Sequence, residues 1–293
     1  MSAASDDARP ARHHAASTRG LHLRRILRGR RAGYALALGV IGAFVAGAWL
    51  RSAAVMLVGP GAVVALVLLV AHRAADARAA EEFFISFARA RGLRYVGDTT
   101  LLPLTPLLGA GDRRVCRYWM EGPLGDDMRG TSCGLGHYTW YERKRAEGES
   151  AHWVPHHFTV CTVDLEPGMA LFPGVFLARR RGLAGLLGDG WLSTRRRRRV
   201  ELESALLHER YELWVERSQD DLLLRELFSP SFVAWLAEHP LEPCFEYRAG
   251  TLVVYLERRL EDAGRLGWLQ DATETIAVRL AAEVAEAGSG RAA

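Results

Sequence analysis

Two long apolar runs, separated by Arg51 and Ser52, constrain this chain more than any other feature. The runs cover residues 32–50 and 53–71 and contain no charged side chain. As a helix with a rise of ~1.5 Å per residue, each run would extend over roughly 28 Å, close to the thickness of the hydrocarbon core of a bilayer. The sequence therefore predicts a transmembrane helical hairpin at residues 32–72, and it leaves about 200 residues for a polar domain.

The placement of arginine predicts how this hairpin is oriented. Arginines stand at positions 24, 25, 28, 30 and 31 before the first run, and Arg73 and Arg78 follow the second, whereas only Arg51 lies between them. By the positive-inside rule we expect both termini in the cytoplasm and a two-helix, multi-pass protein in the cell membrane. Residues 1–31 are predicted to form a disordered basic tail, because they contain few large apolar side chains.

A twin-arginine export signal built on Arg24 and Arg25 is the alternative interpretation of this N-terminal region. It fits less well, because a second apolar run follows the first at once, and a cleaved signal does not need one.

Small residues recur at every fourth position of the first run, at Ala35, Gly39, Ala43 and Gly47. On a helix they share one face, which lets the backbone of another helix approach closely. Two partners fit this face, namely the second arm of the same hairpin or a second copy of the chain in a homodimer. The sequence leaves both partners open.

The remainder of the chain predicts a juxtamembrane helix and a mixed domain. Residues 73–92 are helix-forming, with Phe83, Phe84 and Phe87 on one side. Residues 93–288 hold short β-like runs separated by glycine and proline clusters, a hairpin turn at Ala249-Gly250, and amphipathic helices near the end. The predicted fold class is α+β, with a mainly antiparallel sheet and flanking helices. Residues 289–293 are predicted to be a disordered C-terminus.

Histidines and cysteines do not form a recognisable metal site. His152, His156 and His157 lie close together, but Pro155 disfavours a helix, and alternation along a strand would send neighbours to opposite faces. The four cysteines are scattered without a C-x-x-C pair, which indicates thiols in a reducing compartment. We therefore expect no metal site and no cofactor.

Two further patterns invite a catalytic or phosphate-binding interpretation. Ser204 and His208 could be a nucleophile and its base, but no nucleophile elbow surrounds them, and a helical turn fits the segment better. Gly134 and Gly136 have the spacing of half a phosphate loop, but a β-like run follows them instead of a helix. The sequence thus predicts no catalytic residue.

Two arginine clusters bracket an apolar, glycine-rich segment in the middle of the domain. Its exposed-looking apolar residues are Leu186, Leu187 and Trp191, and the basic residues are Arg179, Arg180, Arg181, Arg195, Arg196, Arg197, Arg198 and Arg199. Such a segment could enter the interfacial layer of the membrane while its arginines pair with anionic lipid headgroups. A protein contact or a solvated loop between strands are the alternatives. Nucleic acid is not expected, because aromatic residues are not interleaved along the basic run.

The segment VELESALLHERYELWVERSQDDLLLRELFSPSFVAWLAEH, followed by a strand, a glycine turn, a strand and an amphipathic helix, resembles a large bacterial family of uncharacterised membrane-hairpin proteins. The matching features are a strand at Val200–Ser204, an aromatic strand at Tyr211–Val215, an aspartate at Asp220 or Asp221, and a helix opened by proline within Leu227–Phe232. The resemblance is strongest in the C-terminal third. It implies an architecture and no particular activity.

Together these patterns predict a membrane-anchored protein whose cytoplasmic α+β domain contacts a protein or lipid at the inner leaflet. The rival hypothesis is a membrane-tethered enzyme of the hydrolase class, with a site assembled from residues far apart in the sequence.

Overall fold

The computed structural model describes residues 30–49, 51, 53–145, 150–165, 171–180, 182, 196–202 and 204–290. It divides into two compact units, one reaching to Phe87 and including Glu261–Ala263, the other containing Ala88–Leu260 and the chain from Gly264 onward. Residues 1–29 of the predicted tail lie outside the described residues.

Two helices lie in the first unit, as far as its residues are described. Helix α1 covers Arg30–Trp49 and helix α2 covers Ala53–Ala90. Arg51 connects them in the left-handed region at φ 51°, and its N–H donates to the Ala48 carbonyl oxygen at 3.2 Å.

The prediction of a separate juxtamembrane helix at 73–92 is wrong. No helix begins at residue 73, because α2 runs through this position without a break. Helix α2 continues to Ala90 because the alanine-rich stretch after the apolar run contains no helix breaker. Gly92 follows the end of the helix at a φ of +67°, which is typical of a helix C-terminus, and the N–H of Leu93 donates back to the Ala88 carbonyl at 2.8 Å. Phe83, Phe84 and Phe87 are all buried.

Among the described residues, one helix is long and apolar enough to cross a membrane. It is Val58–Ala90, with a mean hydropathy of 1.7 in its most apolar part, of which 11% is buried. Helix α1 contains a shorter apolar stretch, Ala37–Ala46.

The small-residue face of α1 meets α2 at Gly39. A Cβ atom added to Gly39 would lie 2.5 Å from Cγ1 of Val63, so only glycine permits this approach of the two backbones. The second arm of the chain therefore occupies at least this part of the face. The homodimer through Ala35, Gly39, Ala43 and Gly47 stays a prediction.

In the second unit the described strands form one nine-stranded sheet, with the order β1-β2-β3-β4-β9-β8-β5-β7-β6. All neighbouring strands pair antiparallel. The strands are β1 Arg94–Thr99, β2 Arg113–Pro123, β3 Ser132–Lys144, β4 His152–Asp164, β5 Gly174–Arg179, β6 Arg197–Val200, β7 Tyr211–Glu216, β8 Cys244–Arg248 and β9 Thr251–Leu256. The α+β class with a large antiparallel sheet is thus confirmed.

The described part of this unit also contains short helices and one long helix. They are α3 Pro106–Gly109, α4 Ala205–Arg210, α5 Asp221–Leu227, α6 Pro230–Glu238 and α7 Ala263–Gly290. Helix α6 begins at Pro230, as its proline predicts, whereas α7 continues to Gly290, beyond residue 288, at which the predicted domain ends. The hairpin between β8 and β9 turns through Ala249 at φ 51° and Gly250 at φ 78°, which is typical of a two-residue hairpin loop.

Helices cover both faces of the sheet. On one face the Phe228 ring, at the end of α5, stacks on Phe245 of β8 with centroids 6.2 Å apart, and Arg279 of α7 donates to the Leu227 carbonyl. On the opposite face the Leu107 N–H of α3 donates to Glu246 at 2.9 Å. The sheet is therefore buried on both sides over much of its area, which explains the continuous apolar runs of β5 and β9.

Candidate functional site

Within the described residues, strand β6 forms one edge of the sheet and pairs with one strand, β7. The Arg217 N–H donates to the Arg196 carbonyl at 2.7 Å, just before the strand begins. In an antiparallel ladder, hydrogen-bonded and non-hydrogen-bonded pairs alternate, so the pairs 198/215 and 200/213 are hydrogen-bonded and the pair 199/214 is not. The backbone N–H and C=O of Arg199 therefore point away from β7, toward the side of β6 on which the described part of the chain places no further strand.

A groove of about 780 Å³ runs along this edge. One wall consists of consecutive residues of β6 and the segment after it, 198–202, and the other consists of α5 and α6. Side chains on a strand alternate between faces, so consecutive residues can line one groove only where the strand edge itself is the wall. The residues from the second wall are Asp221, Leu224, Arg225, Phe228, Pro230, Val233, Ala234, Ala237 and Glu238.

The floor of this edge groove is apolar and its rim is charged. Leu224, Phe228 and Val233 are buried in the floor, and the Phe228 ring is held between Phe245 and Phe232. Basic and acidic residues balance among the lining side chains, which include Arg198, Arg199, Arg225, Glu201, Asp221 and Glu238. An extended chain with apolar side chains and no strong net charge fits this composition.

The structure separates the two arginine clusters that the sequence brackets together. Arg179 pairs with Tyr211, the first residue of β7, and Arg197 pairs with Glu216, the last. At ~3.4 Å per residue these positions are about 17 Å apart along the strand. Leu186, Leu187, Trp191, Arg181 and Arg195 lie outside the described residues.

Most described arginines of the clusters contact groups of their own domain. Arg179 forms an ion pair with Glu242 at 2.7 Å, Arg198 with Asp221, and Arg199 with Glu212 at 3.8 Å. The Arg180 Nη2 lies 3.1 Å from Nε2 of His208. Arg196 contributes its carbonyl to the start of the β6–β7 ladder.

Arg197 differs from the other described arginines of the clusters, because its side chain is buried. Its guanidinium carbon lies 4.3 Å from the ring centre of Phe176, and its Nε lies 3.6 Å from a carboxylate oxygen of Glu216. Glu216 is also 3.9 Å from Arg248. Burial lowers the pKa of Arg197, while Glu216 and Glu246 oppose that shift. The N-terminal end of β6 is thus fixed by buried charges.

Glu246 is the most unusual ionisable group of this network. It is 1% exposed, its Oε2 accepts the Leu107 N–H, and Oε1 has no hydrogen-bond partner among the described residues. Burial raises the pKa of Glu246 to about 7, although the Leu107 N–H, Thr105 and Arg197 favour the charged form. This carboxyl therefore titrates near neutral pH.

The three histidines lie on strand β4, which begins at His152, and neighbouring side chains alternate between its faces. His156 stacks on Trp140 with centroids 3.9 Å apart, whereas His157 contacts the Thr139 hydroxyl at 3.1 Å on the opposite face of the sheet. Burial lowers the pKa of both imidazoles. Within the described part of the chain, no group of three histidine, cysteine or acidic side chains could hold a metal ion.

The other two candidate patterns have local structural roles. Ser204 caps α4, its hydroxyl accepting the Leu207 N–H at 3.3 Å. Gly134 and Gly136 lie inside β3 beneath the Trp119 ring, which leaves no room for a Cβ at Gly134. These glycines allow an indole to lie against the sheet.

A second cleft, of about 550 Å³, lies over strands β1 to β4. Its polar lining includes Arg94, Glu121 and Asp164, and Arg94 and Glu121 form an ion pair at 2.6 Å. Asp164 accepts a hydrogen bond from Thr251 at 3.2 Å. The charged side chains of this cleft therefore already have partners within the domain.

Sequence reasoning missed both the edge groove and Glu246. The groove depends on strand order, which brings the end of the arginine run beside two later helices. Glu246 left a weak signal, since it is an acidic residue between Phe245 and Tyr247 in an otherwise apolar strand.

No protein-family model matches the chain, and no curated protein does. Among solved structures, the crystal structure of the mycobacterial trehalose monomycolate transport factor A, TtfA, aligns over 71% of this chain and 94% of that chain. The TM-score is 0.44 and the sequence identity 13%, a likeness that supports no inference about function. Membership of the membrane-hairpin family stays a prediction.

Proposed function

We propose that this chain is a membrane-anchored interaction protein whose α+β domain binds a partner protein through the edge groove. In this proposal α1 and α2 form a two-helix transmembrane hairpin, and both termini face the cytoplasm. Large apolar side chains of both helices are exposed, for example Ile41 and Phe44 of α1 and Val58 and Leu66 of α2, which is the surface that lipid would cover.

The groove along β6 is the observation that carries the proposed binding role. It combines a buried apolar floor with a charged rim and the backbone of a strand edge. Protein-binding surfaces have this composition, with apolar anchors at the centre and polar groups around them.

A protein partner is favoured over lipid headgroups. Arg179, Arg198 and Arg199 already pair with carboxylates of their own domain, so binding an anionic headgroup would require these pairs to break. The separation of the two clusters along β7 also opposes a single joint contact with lipid.

Photo-crosslinking in native membranes tests the binding role. A photoreactive amino acid is placed at Ala234, which is exposed and lines the groove, and at Leu222 as a control, which is 66% exposed on α5 and does not line it. We expect one discrete protein adduct from position 234 and none from position 222. Equal adduct patterns at both positions would contradict the assignment of the groove.

Reporter fusions test the membrane topology. A reporter that is active only outside the cytoplasm should be silent after Ala293 and active at Ser52. The reverse pair would show that the arginine distribution does not set the orientation.

A further inference from the structure

We infer that the partner is held as an added β-strand: an extended peptide segment of another protein lies in the edge groove and pairs with β6. This inference rests on the proposed function and specifies how the groove recognises its ligand. It assigns the recognition to backbone hydrogen bonds at Arg199 and to apolar contacts with α5 and α6.

The backbone geometry of β6 supports this mode. Because the pair Arg199/Trp214 is a non-hydrogen-bonded pair, the sheet does not use the N–H and C=O of Arg199. Both groups face the groove, whose wall is the strand edge itself. An extended segment beside β6 would satisfy them and continue the sheet by one strand.

The helices beside the edge determine which side chains such a segment carries. Alternate residues of an added strand would point toward the floor formed by Leu224, Phe228 and Val233, and the residues between them would point to the opposite face, where Arg199 and Glu212 lie. The ligand is therefore a segment with apolar residues at every second position. Strand β6 has 4 residues, so the paired part of the ligand is about four to six residues long.

A second copy of this chain is a poor occupant. Two β6 strands paired through the outward N–H and C=O of Arg199 about a two-fold axis would set Arg199 directly against the same arginine of the copy, and like charges directly opposite each other destabilise a sheet. The basic N-terminal tail of the chain has the same disadvantage. A segment of a different protein has neither.

The charges that line the groove predict that the affinity for the peptide depends only weakly on salt concentration. Acidic and basic side chains balance around the groove, so an apolar segment gains little from long-range attraction. An anionic ligand bound by arginines would instead weaken steeply as salt rises.

The test uses the full chain in lipid nanodiscs and a defined probe. A phage-displayed library of random ten-residue peptides is selected on the wild type and counter-selected on Ala234→Trp, which fills the groove from an exposed position. Enriched peptides are synthesised, and their affinity is measured by fluorescence anisotropy. We expect peptides with apolar residues at alternate positions, whose affinity changes less than about threefold between about 50 and about 500 mM salt.

Two variants at one position separate the backbone from the side chain. Arg199→Pro removes the outward N–H without removing a bond of the ladder with β7, and proline is tolerated at sheet edges. It should weaken peptide binding by about tenfold or more, whereas Arg199→Ala, which keeps the N–H, should bind within about threefold of wild type. N-methylation of the peptide at alternate positions should also weaken binding, because it removes peptide N–H donors. This measurement uses the wild-type protein, so it does not depend on whether Arg199→Pro folds.

Several results would overturn the inference. Absence of enrichment, equal affinities of Arg199→Pro and Arg199→Ala, or indifference to every N-methyl group would exclude strand addition. A disulfide-linked dimer of Arg199→Cys would identify a second copy as the occupant, and tighter peptide binding after deletion of residues 1–29 would identify the tail. Crosslinking at Ala234 does not depend on these results. An adduct at Ala234 without the effects above would show a groove that binds its partner in another mode, and the absence of both would show a groove that binds nothing.

Discussion

Glu246→Gln should abolish a pH dependence of stability that the buried carboxyl imposes on the domain. The pKa of Glu246 is raised from its ordinary value of 4.5 to about 7, so the fold favours the protonated form. Its contribution to the free energy of unfolding is fully present below pH 4.5 and is lost as the pH rises through 7. Glutamine resembles the protonated carboxyl at every pH, so the variant lacks this loss.

The pKa fixes the size of the effect. A carboxyl with a pKa of about 7 in the fold and 4.5 in the unfolded chain contributes about 2–3 kcal/mol at pH 5 and almost nothing at pH 8. For a domain of this size, ~1 kcal/mol corresponds to about 2–4 °C in melting temperature. Between pH 5 and pH 8, the melting temperature of Glu246→Gln should therefore rise relative to wild type by about 5–10 °C.

The difference between variant and wild type is the quantity to measure. Burial lowers the pKa of His137 to about 4, so its contribution to stability is present above its ordinary pKa of 6.5 and is lost as the pH falls. The two groups act in opposite directions, and the wild-type profile alone would partly conceal both.

Calorimetry on the full chain in detergent at pH 5, 6, 7 and 8 provides the measurement. The control is Glu209→Gln, which removes an exposed carboxylate and should follow wild type across the series. Parallel profiles for Glu246→Gln and wild type would refute the reasoning, because Glu246 would then keep one protonation state throughout.

Three further outcomes follow from the packing. Gly134→Ala should destabilise the domain by about 1–3 kcal/mol in thermal unfolding, because the added methyl overlaps the Trp119 ring, whereas Gly61→Ala, which meets no atom within 4 Å, should not. Gly39→Ala should lower the melting temperature of the full chain, and adding Val63→Ala to the same chain should restore part of it. If Val63→Ala restores the melting temperature only when a second copy carries it, the contact lies in a dimer. All four cysteines are buried free thiols, so N-ethylmaleimide should label them only under unfolding conditions, as mass spectrometry would show.

Local sequence information predicted the elements that depend on local causes. Pro230 fixes the start of α6, and Ala249-Gly250 fixes the hairpin turn, because the conformational preferences of these residues do not depend on distant parts of the chain. Alternation from His157 onward likewise predicted a strand, although β4 begins five residues earlier, at His152. The apolar runs predicted long helices, although the absence of a breaker after residue 71 joined two predicted helices into one.

The tertiary structure alone decided the candidate site. The edge groove exists because β6 pairs outside β7 while α5 and α6 pack beside it, and strand order in a sheet depends on contacts between residues far apart in the sequence. The same pairing separates Arg179 from Arg197, which the sequence shows as two ends of one basic segment. Glu246 acquires its raised pKa only when distant segments exclude water from it, since desolvation is a property of the folded surroundings and not of the residue.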